Sequence, residues 1–433
     1  MTTTEPGLLG VIGAGTMGAG IAQVAAQSGR RVVLYDIKPE FVERGLGTIT
    51  RGLQGRVDKG RMAAEEMAAI LDRIRTTTDR DALAPAAVVV EAAPESLALK
   101  QELFAALDQM CGPDTILASN TSSLSITALG AATQRAERVA GMHFFNPAPV
   151  MALVEVVAGQ RTDPGVTAAI GDLARAMGKT PVQARDTPGF IVNRVARPFY
   201  AEALRMLGEN ILPVEEIDRL VKLAGFRMGP FELMDLIGID VNFAVTESVY
   251  AAFFGEPRYR PHPIQRRLVE SGMIGRKAGR GFYLYQDGKP AGPNPLLAVD
   301  RTYATALPLG LLPDSLEREL ASWLNAAGAD EAILGREPRG AYVIGRIVCG
   351  IINEAAFALG EGVASAADID TAMTLGVNYP LGPLTWGDKL GLPLVVQVLD
   401  YFYNYYHEER YRVAPLLRRL VAAGRRGRSE PGF

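Results

Sequence analysis

The first 187 residues alternate between short apolar runs and longer amphipathic stretches. Runs of about five apolar residues are typical of strands that are buried on both faces of a parallel sheet. Such runs occur at residues 8–12, 31–35, 87–92 and 115–118. The amphipathic stretches between them predict the helices that connect parallel strands. This part of the chain is therefore predicted to be an α/β domain with a doubly wound sheet.

After residue 188 the strand pattern stops and helical periodicity dominates. The run from Glu216 to Asp235 has a second version from Asp368 to Asp388, with one residue added before Gly382. Upstream, Ala201-Glu202-Ala203 has its counterpart in Asn353-Glu354-Ala355. This repeat predicts a duplicated helical domain. The predicted organisation is residues 1–187, 188–286 and 340–433, with a connector at 287–339.

The two helical copies differ at one informative position. Aligned back from Glu354, the counterpart of Asn193 is Gly345, whereas Arg194 is matched by Arg346. Glycine has no side chain to donate or accept a hydrogen bond, so the second copy is expected to support the fold without repeating any chemistry of Asn193. The connector is rich in Pro, Gly and Ala and is predicted to hold one helix at 315–327. Residues 424–433 are predicted to be a disordered tail.

Composition excludes several classes of protein. The chain of 433 residues is 48% hydrophobic and 21% charged, with a net charge of −3, which argues against a nucleic-acid or membrane-surface partner. Cys111 and Cys349 form neither a metal-binding nor a disulfide pattern, and no metal site is expected. No basic segment precedes the first strand, and no apolar run approaches about 18 residues. We therefore expect a cytoplasmic protein.

A glycine-rich motif follows the first strand and opens a helix, which is the context of a dinucleotide-binding turn. Asp36 ends the second strand, where a carboxylate accepts hydrogen bonds from the ribose hydroxyls and repels a 2′-phosphate. The pattern predicts NAD rather than NADP, although Lys38 lies nearby. A purely structural tight turn is the alternative. The candidate residues are Gly13, Gly15, Thr16, Met17, Gly18 and Asp36.

His143 is the candidate for proton transfer. The chain has three histidines, and His262 and His407 lie in polar stretches, whereas His143 is bracketed by apolar, strand-forming sequence. Histidine is the side chain that most easily exchanges a proton near neutral pH. The alternative is a core histidine with a structural hydrogen bond.

Five motifs resemble the L-3-hydroxyacyl-CoA dehydrogenase family, over residues 8–285. They are the glycine-rich turn, Ser119-Asn-Thr-Ser-Ser, His143-Phe-Phe-Asn-Pro with Glu155 downstream, the segment 186–194 and the segment 279–285. The resemblance implies a Rossmann-type doubly wound sheet followed by two all-α C-terminal domains. Further motifs resemble a bacterial subgroup that acts on 3-hydroxyadipyl-CoA in phenylacetate breakdown.

The resemblance also implies residue roles. His143 is expected to be the general base, Glu155 its partner, and Ser122 the donor to the reacting oxygen, while Asn193 helps to hold the substrate carbonyl. The family pattern extends the cofactor-binding set to Glu95, Lys100 and Asn120. Lys59 resembles a lysine that contacts the phosphates of coenzyme A, and it lies in a basic cluster with Arg51, Arg56 and Arg61.

The implied function is NAD-dependent oxidation of an L-3-hydroxyacyl-CoA, either 3-hydroxyadipyl-CoA or 3-hydroxybutyryl-CoA. A non-CoA hydroxy acid as substrate and a non-catalytic NAD-binding protein remain open. Arg197, Arg227 and Arg346 are candidates for binding a second carboxylate, although structural ion pairs explain each equally well. Single-copy relatives pair their helical domains between subunits, so we expect either a homodimer or a pseudo-dimer formed within the chain.

Overall fold

The computed structural model describes residues 7–300, 315–316, 318–320 and 338–427. The chain divides into two compact units, Met1–Phe190 and Ile191–Phe433. The helix predicted at 315–327 and the tail predicted at 424–433 lie mostly outside the described residues.

The first unit is built on one sheet of eight strands. These are β1 (Leu9–Ile12), β2 (Val32–Tyr35), β3 (Ile74–Thr77), β4 (Val88–Glu91), β5 (Ile116–Ser119), β6 (Val139–Phe144), β7 (Leu153–Ala158) and β8 (Thr180–Arg185). Their order is β3-β2-β1-β4-β5-β6-β7-β8. Strands β1 to β6 are parallel, and β7 runs antiparallel to β6 and parallel to β8. The winding reverses between β1 and β4, and ligands bind beside the carboxyl ends of the strands at such a point.

Helices connect the parallel strands, as the periodicity predicts. They are α1 (Thr16–Gln27), α2 (Pro39–Val57), α3 (Ala64–Asp72), α4 (Leu97–Met110), α5 (Ile126–Gly130) and α6 (Pro164–Ala176). The side chains of Val11, Leu34 and Val90, from three neighbouring strands, are fully buried. Burial on both faces explains why these strands read as unbroken apolar runs in the sequence. The expected Rossmann-type sheet is confirmed.

The second unit is helical, as predicted. Its first copy contains α7 (Val192–Val195), α8 (Arg197–Gly208), α9 (Val214–Leu223), α10 (Pro230–Ile237), α11 (Ile239–Ala252) and α12 (Pro263–Glu270). A hairpin of β9 (Tyr283–Gln286) and β10 (Lys289–Pro293) follows, at the start of the predicted connector. The second copy contains α13 (Pro338–Gly360), α14 (Ala366–Gly376), α15 (Pro383–Leu390), α16 (Leu392–Tyr406) and α17 (Pro415–Ala422).

The same capping device recurs in both copies. Asp218 on α9 accepts hydrogen bonds from the backbone N–H groups of Phe231 and Glu232 at the start of α10. Asp370 on α14 does the same for the first turn of α15. A carboxylate at a helix N-terminus satisfies N–H groups that have no partner within the helix. The repeated sequence thus forms a repeated local structure.

A buried carboxylate of the second copy is held by side chains of the first. Glu354 on α13 accepts hydrogen bonds from Arg194 Nε at 2.8 Å, from Arg258 at 2.8 Å and from the Tyr259 hydroxyl at 2.5 Å. Glu354 and Arg194 are both at most 2% exposed. A charge at this depth is tolerated because it is paired and hydrogen-bonded.

The reciprocal arrangement holds a carboxylate of the first copy. Glu202 on α8 accepts hydrogen bonds from Arg346 Nε at 3.0 Å and from the Tyr411 hydroxyl at 2.7 Å, and Arg410 lies 3.5 Å away. Glu202 and Arg346 correspond to Glu354 and Arg194 in the repeat. The two helical copies therefore pack against each other through matched buried ion pairs.

Helix α13 is the core helix of this unit. Its segment Gly340–Gly360 is long and apolar enough, at mean hydropathy 1.6, to pass a length-and-composition test for a membrane span. However, 83% of the tested window is buried inside the protein, and the helix carries the ion-paired Arg346 and Glu354. Its apolar surface is covered by α8, α15, α16 and other helices of the same unit.

Candidate active site

The antiparallel pairing of β6 and β7 brings His143 and Glu155 together. The two residues are direct partners in the register, so their side chains project from the same face of the sheet. His143 Nδ1 lies 2.7 Å from Glu155 Oε2, and the residues are 5% and 0% exposed. Because Nδ1 is occupied by the carboxylate, Nε2 is the ring nitrogen that is left to accept a proton. Sequence spacing alone does not predict this contact.

Aromatic rings surround the imidazole. The ring centroids of Phe145 and Phe190 lie 4.6 Å and 6.0 Å from that of His143. These rings limit the access of water to the His143–Glu155 pair, and an ion pair is strengthened where water is excluded. Glu155 is therefore well placed to stabilise a protonated His143.

The loop after β5 carries Ser122 to the same edge of the sheet. The side-chain oxygen of Asn120 accepts a hydrogen bond of 2.8 Å from the backbone N–H of Phe144, the residue after His143. This bond joins the loop to the end of β6. Ser122 is half-buried in that loop. The structure thus places Ser122, Asn120 and His143 on adjacent strand ends of one unit.

Glu95 holds the loop in shape. Its carboxylate accepts a hydrogen bond of 2.6 Å from the Thr121 hydroxyl and one of 3.0 Å from the backbone N–H of Ser122. Burial alone would raise the pKa of Glu95, but these hydrogen bonds and the positive charge of Lys100 hold it below its usual range. Glu95 is therefore a carboxylate that positions the loop as well as a candidate for cofactor contact.

Lys100 is buried between two carboxylates. Its ammonium lies 2.6 Å from Glu91 Oε1 and 3.3 Å from Glu95 Oε2. Glu91, the last residue of β4, is fully buried and also accepts a hydrogen bond of 2.6 Å from the Ser119 hydroxyl. Glu91 is not among the site residues predicted from the sequence. The signal was present, because an acidic residue directly follows three valines in a strand that was predicted to be buried.

The three glycines of the turn after β1 differ in how much space surrounds them. Gly13 has a φ of +93°, and a Cβ there would lie 2.6 Å from the carbonyl oxygen of Ala92. A Cβ on Gly18 would lie 1.7 Å from the carbonyl oxygen of Gly13, so α1 packs directly on the turn. By contrast, a Cβ on Gly15 would meet nothing within 4 Å.

The exposed side of the glycine-rich turn is formed by the first residues of helix α1. Gly15 caps the helix and supplies no side-chain hydrogen bond, and both Gly15 and Thr16 are exposed, with Met17 half-buried beside them. Uncapped N–H groups at a helix N-terminus attract anions. The residues present thus fit the pyrophosphate of a dinucleotide, which could approach the backbone at Gly15.

Asp36 lies beside this turn, at the carboxyl end of β2. Its Oδ2 accepts a hydrogen bond of 2.7 Å from the backbone N–H of Ala14, and its Oδ1 accepts one from Ile37. The carboxylate is therefore anchored to the turn itself. This is the position at which an acidic residue meets the ribose hydroxyls of a dinucleotide.

Lys59 is exposed in the turn between α2 and α3. Arg56 and Arg61 are exposed on either side of it, and none of the three forms an ion pair with a described residue. Helix α2 passes beside the glycine-rich turn, because a Cβ on Gly45 would lie 2.6 Å from the carbonyl oxygen of Ala14. The basic cluster is therefore a solvent-facing positive patch at the C-terminal end of α2 and in the turn that follows it.

Asn193 belongs to the helical unit, where it is half-buried in α7. Its predicted part in the site stays a prediction. Among the described residues, no cluster of His, Cys, Asp and Glu could hold a metal ion.

The glycine-rich turn, the carboxylate after β2 and the buried His–Glu pair together define a dinucleotide-dependent dehydrogenase. Models of two families match the chain: the 3-hydroxyacyl-CoA dehydrogenase NAD-binding domain over residues 8–187, and the C-terminal domain of the same enzymes over residues 189–285 and again over 342–433. The chain belongs to the 3-hydroxyacyl-CoA dehydrogenase family. It is an oxidoreductase that uses NAD.

Several relatives match nearly their whole length. A 3-hydroxyadipyl-CoA dehydrogenase of Escherichia coli K12 is 44% identical over 94% of this chain and 96% of its own. A probable 3-hydroxybutyryl-CoA dehydrogenase of Bacillus subtilis is 43% identical over 64% of this chain and 96% of its own. The crystal structure of an Escherichia coli 3-hydroxybutyryl-CoA dehydrogenase superposes with a TM-score of 0.84 at 42% identity, covering 96% of this chain and 99% of that one.

Proposed function

We propose that the protein oxidises an L-3-hydroxyacyl-CoA to the 3-oxoacyl-CoA, with His143 as the general base. The observation that supports this most strongly is the 2.7 Å contact between His143 Nδ1 and Glu155 in a nearly dry setting. NAD, held by the glycine-rich turn and Asp36, would supply the acceptor for the hydride that leaves C3 of the substrate. The protein must therefore take the proton of the 3-hydroxyl group.

His143 Nε2 takes that proton. Glu155 keeps the Nδ1–H tautomer in place and stabilises the imidazolium that forms, as a buried carboxylate does for a catalytic histidine. The Ser122 hydroxyl donates to the reacting oxygen and orients it toward Nε2. Asn193 holds the thioester carbonyl region. In the reverse direction the imidazolium returns the proton to the oxygen.

The substrate is proposed to be a coenzyme A thioester rather than a free hydroxy acid. The exposed cations of the basic cluster at Lys59, Arg56 and Arg61 support this, since they offer contacts for the phosphates of the nucleotide. The names of the relatives point to two acyl groups, 3-hydroxyadipyl and 3-hydroxybutyryl. The intact His143, Glu155, Ser122 and Asn193 argue against a non-catalytic NAD-binding protein.

Replacing Lys59 by alanine is expected to raise the KM for 3-hydroxybutyryl-CoA by about 3–10-fold, the effect of losing an exposed phosphate contact of up to ~1.4 kcal/mol. The KM for the matching pantetheine thioester, which lacks the nucleotide, is expected to stay unchanged. Steady-state NADH formation with both thioesters and with free 3-hydroxybutyrate measures this. Arg175→Ala, which removes an exposed cation on α6, is the control. Equal turnover of free 3-hydroxybutyrate would favour the non-CoA alternative.

Replacing Asp36 by alanine is expected to lower kcat/KM for NAD by about 10-fold or more, because a charge-assisted hydrogen bond to the ribose is lost. The same change should raise kcat/KM for NADP, since the repulsion of the 2′-phosphate is removed. Asp36→Asn, which keeps the shape but not the charge, should relax selectivity with a smaller loss for NAD. An unchanged ratio of the two cofactors in both variants would exclude this role for Asp36.

The two helical copies are proposed to act as an internal pseudo-dimer. The reciprocal ion pairs of Glu202 and Glu354 support this, because each carboxylate is held by the opposite copy. A stable, fully active monomer of residues 8–285 alone would contradict it. The enzyme is also proposed to work in a reducing cytoplasm, which agrees with the free, buried Cys111 and Cys349.

A further inference from the structure

Arg197 is a buried cation without an acidic partner. Arg197 is the first residue of α8 and is 4% exposed. One guanidinium nitrogen donates to the Thr246 hydroxyl at 2.9 Å, and the guanidinium lies 5.1 Å from the centroid of the Tyr200 ring. Its Nε is buried and has no hydrogen-bond partner, and no carboxylate among the described residues pairs with it.

The other two arginines that could bind a second carboxylate differ from Arg197. Arg346, equally buried, is paired with Glu202 and Glu209 at 2.9 Å and 2.7 Å. Arg227 is exposed in the loop before α10. Of these three, Arg197 alone combines burial with an unsatisfied donor. Burial lowers the pKa of Arg197, whereas the paired Arg346 has a raised pKa despite its burial, because the Tyr411 and Glu202 side chains and Glu209 favour its charged form.

A second unsatisfied group lies in the same cluster. Tyr379, from the loop between α14 and α15 of the second copy, is 4% exposed, and its hydroxyl has no hydrogen-bond partner. Its ring packs against those of Phe199 and Phe226, with centroids 5.6 Å and 5.1 Å away. Phe199 connects this group to Arg197, since its ring centroid lies 5.6 Å from that of Tyr379 and 5.4 Å from that of Tyr200, the ring beside the Arg197 guanidinium. An aromatic wall thus encloses a cation and a hydroxyl, each with an unused donor.

Unsatisfied buried donors are rare in proteins and costly, and a buried charge without a partner costs more still. An anion that accepts hydrogen bonds would satisfy both donors. A carboxylate fits, since a guanidinium and a hydroxyl are both donors to it.

Arg197 lies close in the chain to Asn193, the residue proposed to hold the substrate carbonyl. Asn193 and Arg197 are four residues apart, and the backbone stays helical between them, since Ala196 has helical angles. Residues at this spacing share a helix face and are about 6 Å apart along the axis. The few carbon–carbon bonds between the thioester carbonyl and the far end of a short diacid span a similar distance.

We propose that Arg197, with Tyr379, binds the terminal carboxylate of a dicarboxylic 3-hydroxyacyl-CoA. Thr246 orients the guanidinium, because its oxygen accepts from Arg197 while its own proton is donated to the Asn242 carbonyl. This rests on the proposed function, in which Asn193 holds the carbonyl at the other end of the same acyl group. The second helical copy then contributes to substrate selection through Tyr379. A monocarboxylic acyl chain would leave the guanidinium unpaired, so the enzyme prefers diacid thioesters.

The test compares kcat/KM for 3-hydroxyadipyl-CoA and 3-hydroxybutyryl-CoA in the full-length enzyme with NAD. The wild type is expected to prefer the diacid. Arg197→Met is expected to lower the diacid-to-monoacid ratio by about 10–100-fold, mainly through KM, as for a lost charge-assisted hydrogen bond. Tyr379→Phe removes a single hydroxyl without changing packing, and it should lower the ratio by several-fold.

Thermal unfolding of the unliganded enzyme is the matched control. Arg197→Met should leave Tm unchanged or raise it, because an unpaired buried charge is removed, whereas Arg346→Met should lower Tm. A wild type without diacid preference, or variants in which both substrates lose kcat/KM equally, would overturn the proposal. In either case turnover of 3-hydroxybutyryl-CoA by the wild type would leave the proposed function intact. Failure of the wild type to oxidise either thioester would overturn both.

Discussion

Replacing His143 by glutamine is expected to lower kcat for L-3-hydroxybutyryl-CoA by about 10²–10⁴-fold, the usual contribution of a general base. Glutamine keeps a polar group of similar length but cannot accept the hydroxyl proton. The dinucleotide turn and Asp36 lie on other strand ends, so the Kd for NADH should stay within about 2-fold, well below the tenfold that 1.4 kcal/mol would produce. Steady-state NADH formation and a fluorescence titration with NADH measure the two quantities.

His407→Asn is the control for this substitution. His407 is exposed and has a φ of +53°, a conformation that asparagine tolerates well, so the fold should be preserved. Its turnover should equal that of the wild type. If His143→Gln kept the kcat of the wild type with every acyl-CoA, the proposed base would be wrong.

Replacing Glu202 by glutamine is expected to destabilise the helical unit by about 3–5 kcal/mol, the usual cost of breaking a buried ion pair. Glutamine leaves the guanidinium groups of Arg346 and Arg410 buried beside a neutral amide. Denaturant unfolding followed by circular dichroism measures the loss. Glu247→Gln, which breaks an exposed pair with Arg266, should change stability by less than about 1 kcal/mol.

The acid limb of the stability profile should change as well. Burial alone would raise the pKa of Glu202, but the charges of Arg410, Arg346 and Arg205 and the Tyr411 hydrogen bond lower it to about 2 from its ordinary value of 4.5. The folded state thus binds the proton more weakly than the unfolded state. The stability that this carboxylate contributes is present above about pH 4.5 and is lost as pH falls toward 2.

Between pH 4.5 and pH 2 the wild type should lose the stability that the ionised Glu202 contributes, whereas Glu202→Gln has no such contribution to lose. The difference in the free energy of unfolding between wild type and variant should therefore shrink over this range. Denaturant unfolding at several pH values measures the difference between variant and wild type. A difference that stays constant down to pH 2 would show that Glu202 is not held ionised by the second copy.

Much of the first unit was predictable, because its strands are short apolar runs and its first turn carries a recognisable three-glycine motif. The duplication was predictable from the repeat around Glu216 and Asp368. The contact of His143 with Glu155 was not, since it depends on the register of an antiparallel pair that sequence spacing does not fix.

The partners of the buried charges in the helical unit could not be predicted from the sequence either. The sequence does not distinguish Arg197 from Arg346 as carboxylate-binding candidates. The folded structure does, because Arg346 has two carboxylate partners and Arg197 has none among the described residues. The acidic partners of Arg346 lie 144 and 137 residues away along the chain, so their positions are set by tertiary packing. Glu91 carries a signal in the sequence, an acidic residue at the end of a buried strand, but its partners Lys100 and Ser119 are brought to it only by the folded sheet.

The central claim is that His143 accepts the substrate proton while hydride leaves C3. The most direct test is a single-turnover measurement of NADH formation, with enzyme and NAD in excess over L-3-hydroxybutyryl-CoA, in the wild type and in His143→Gln. The variant should form NADH about 10²–10⁴-fold more slowly than the wild type, because glutamine cannot accept the hydroxyl proton. A variant that keeps the wild-type rate would contradict the account, since another group would then be the base.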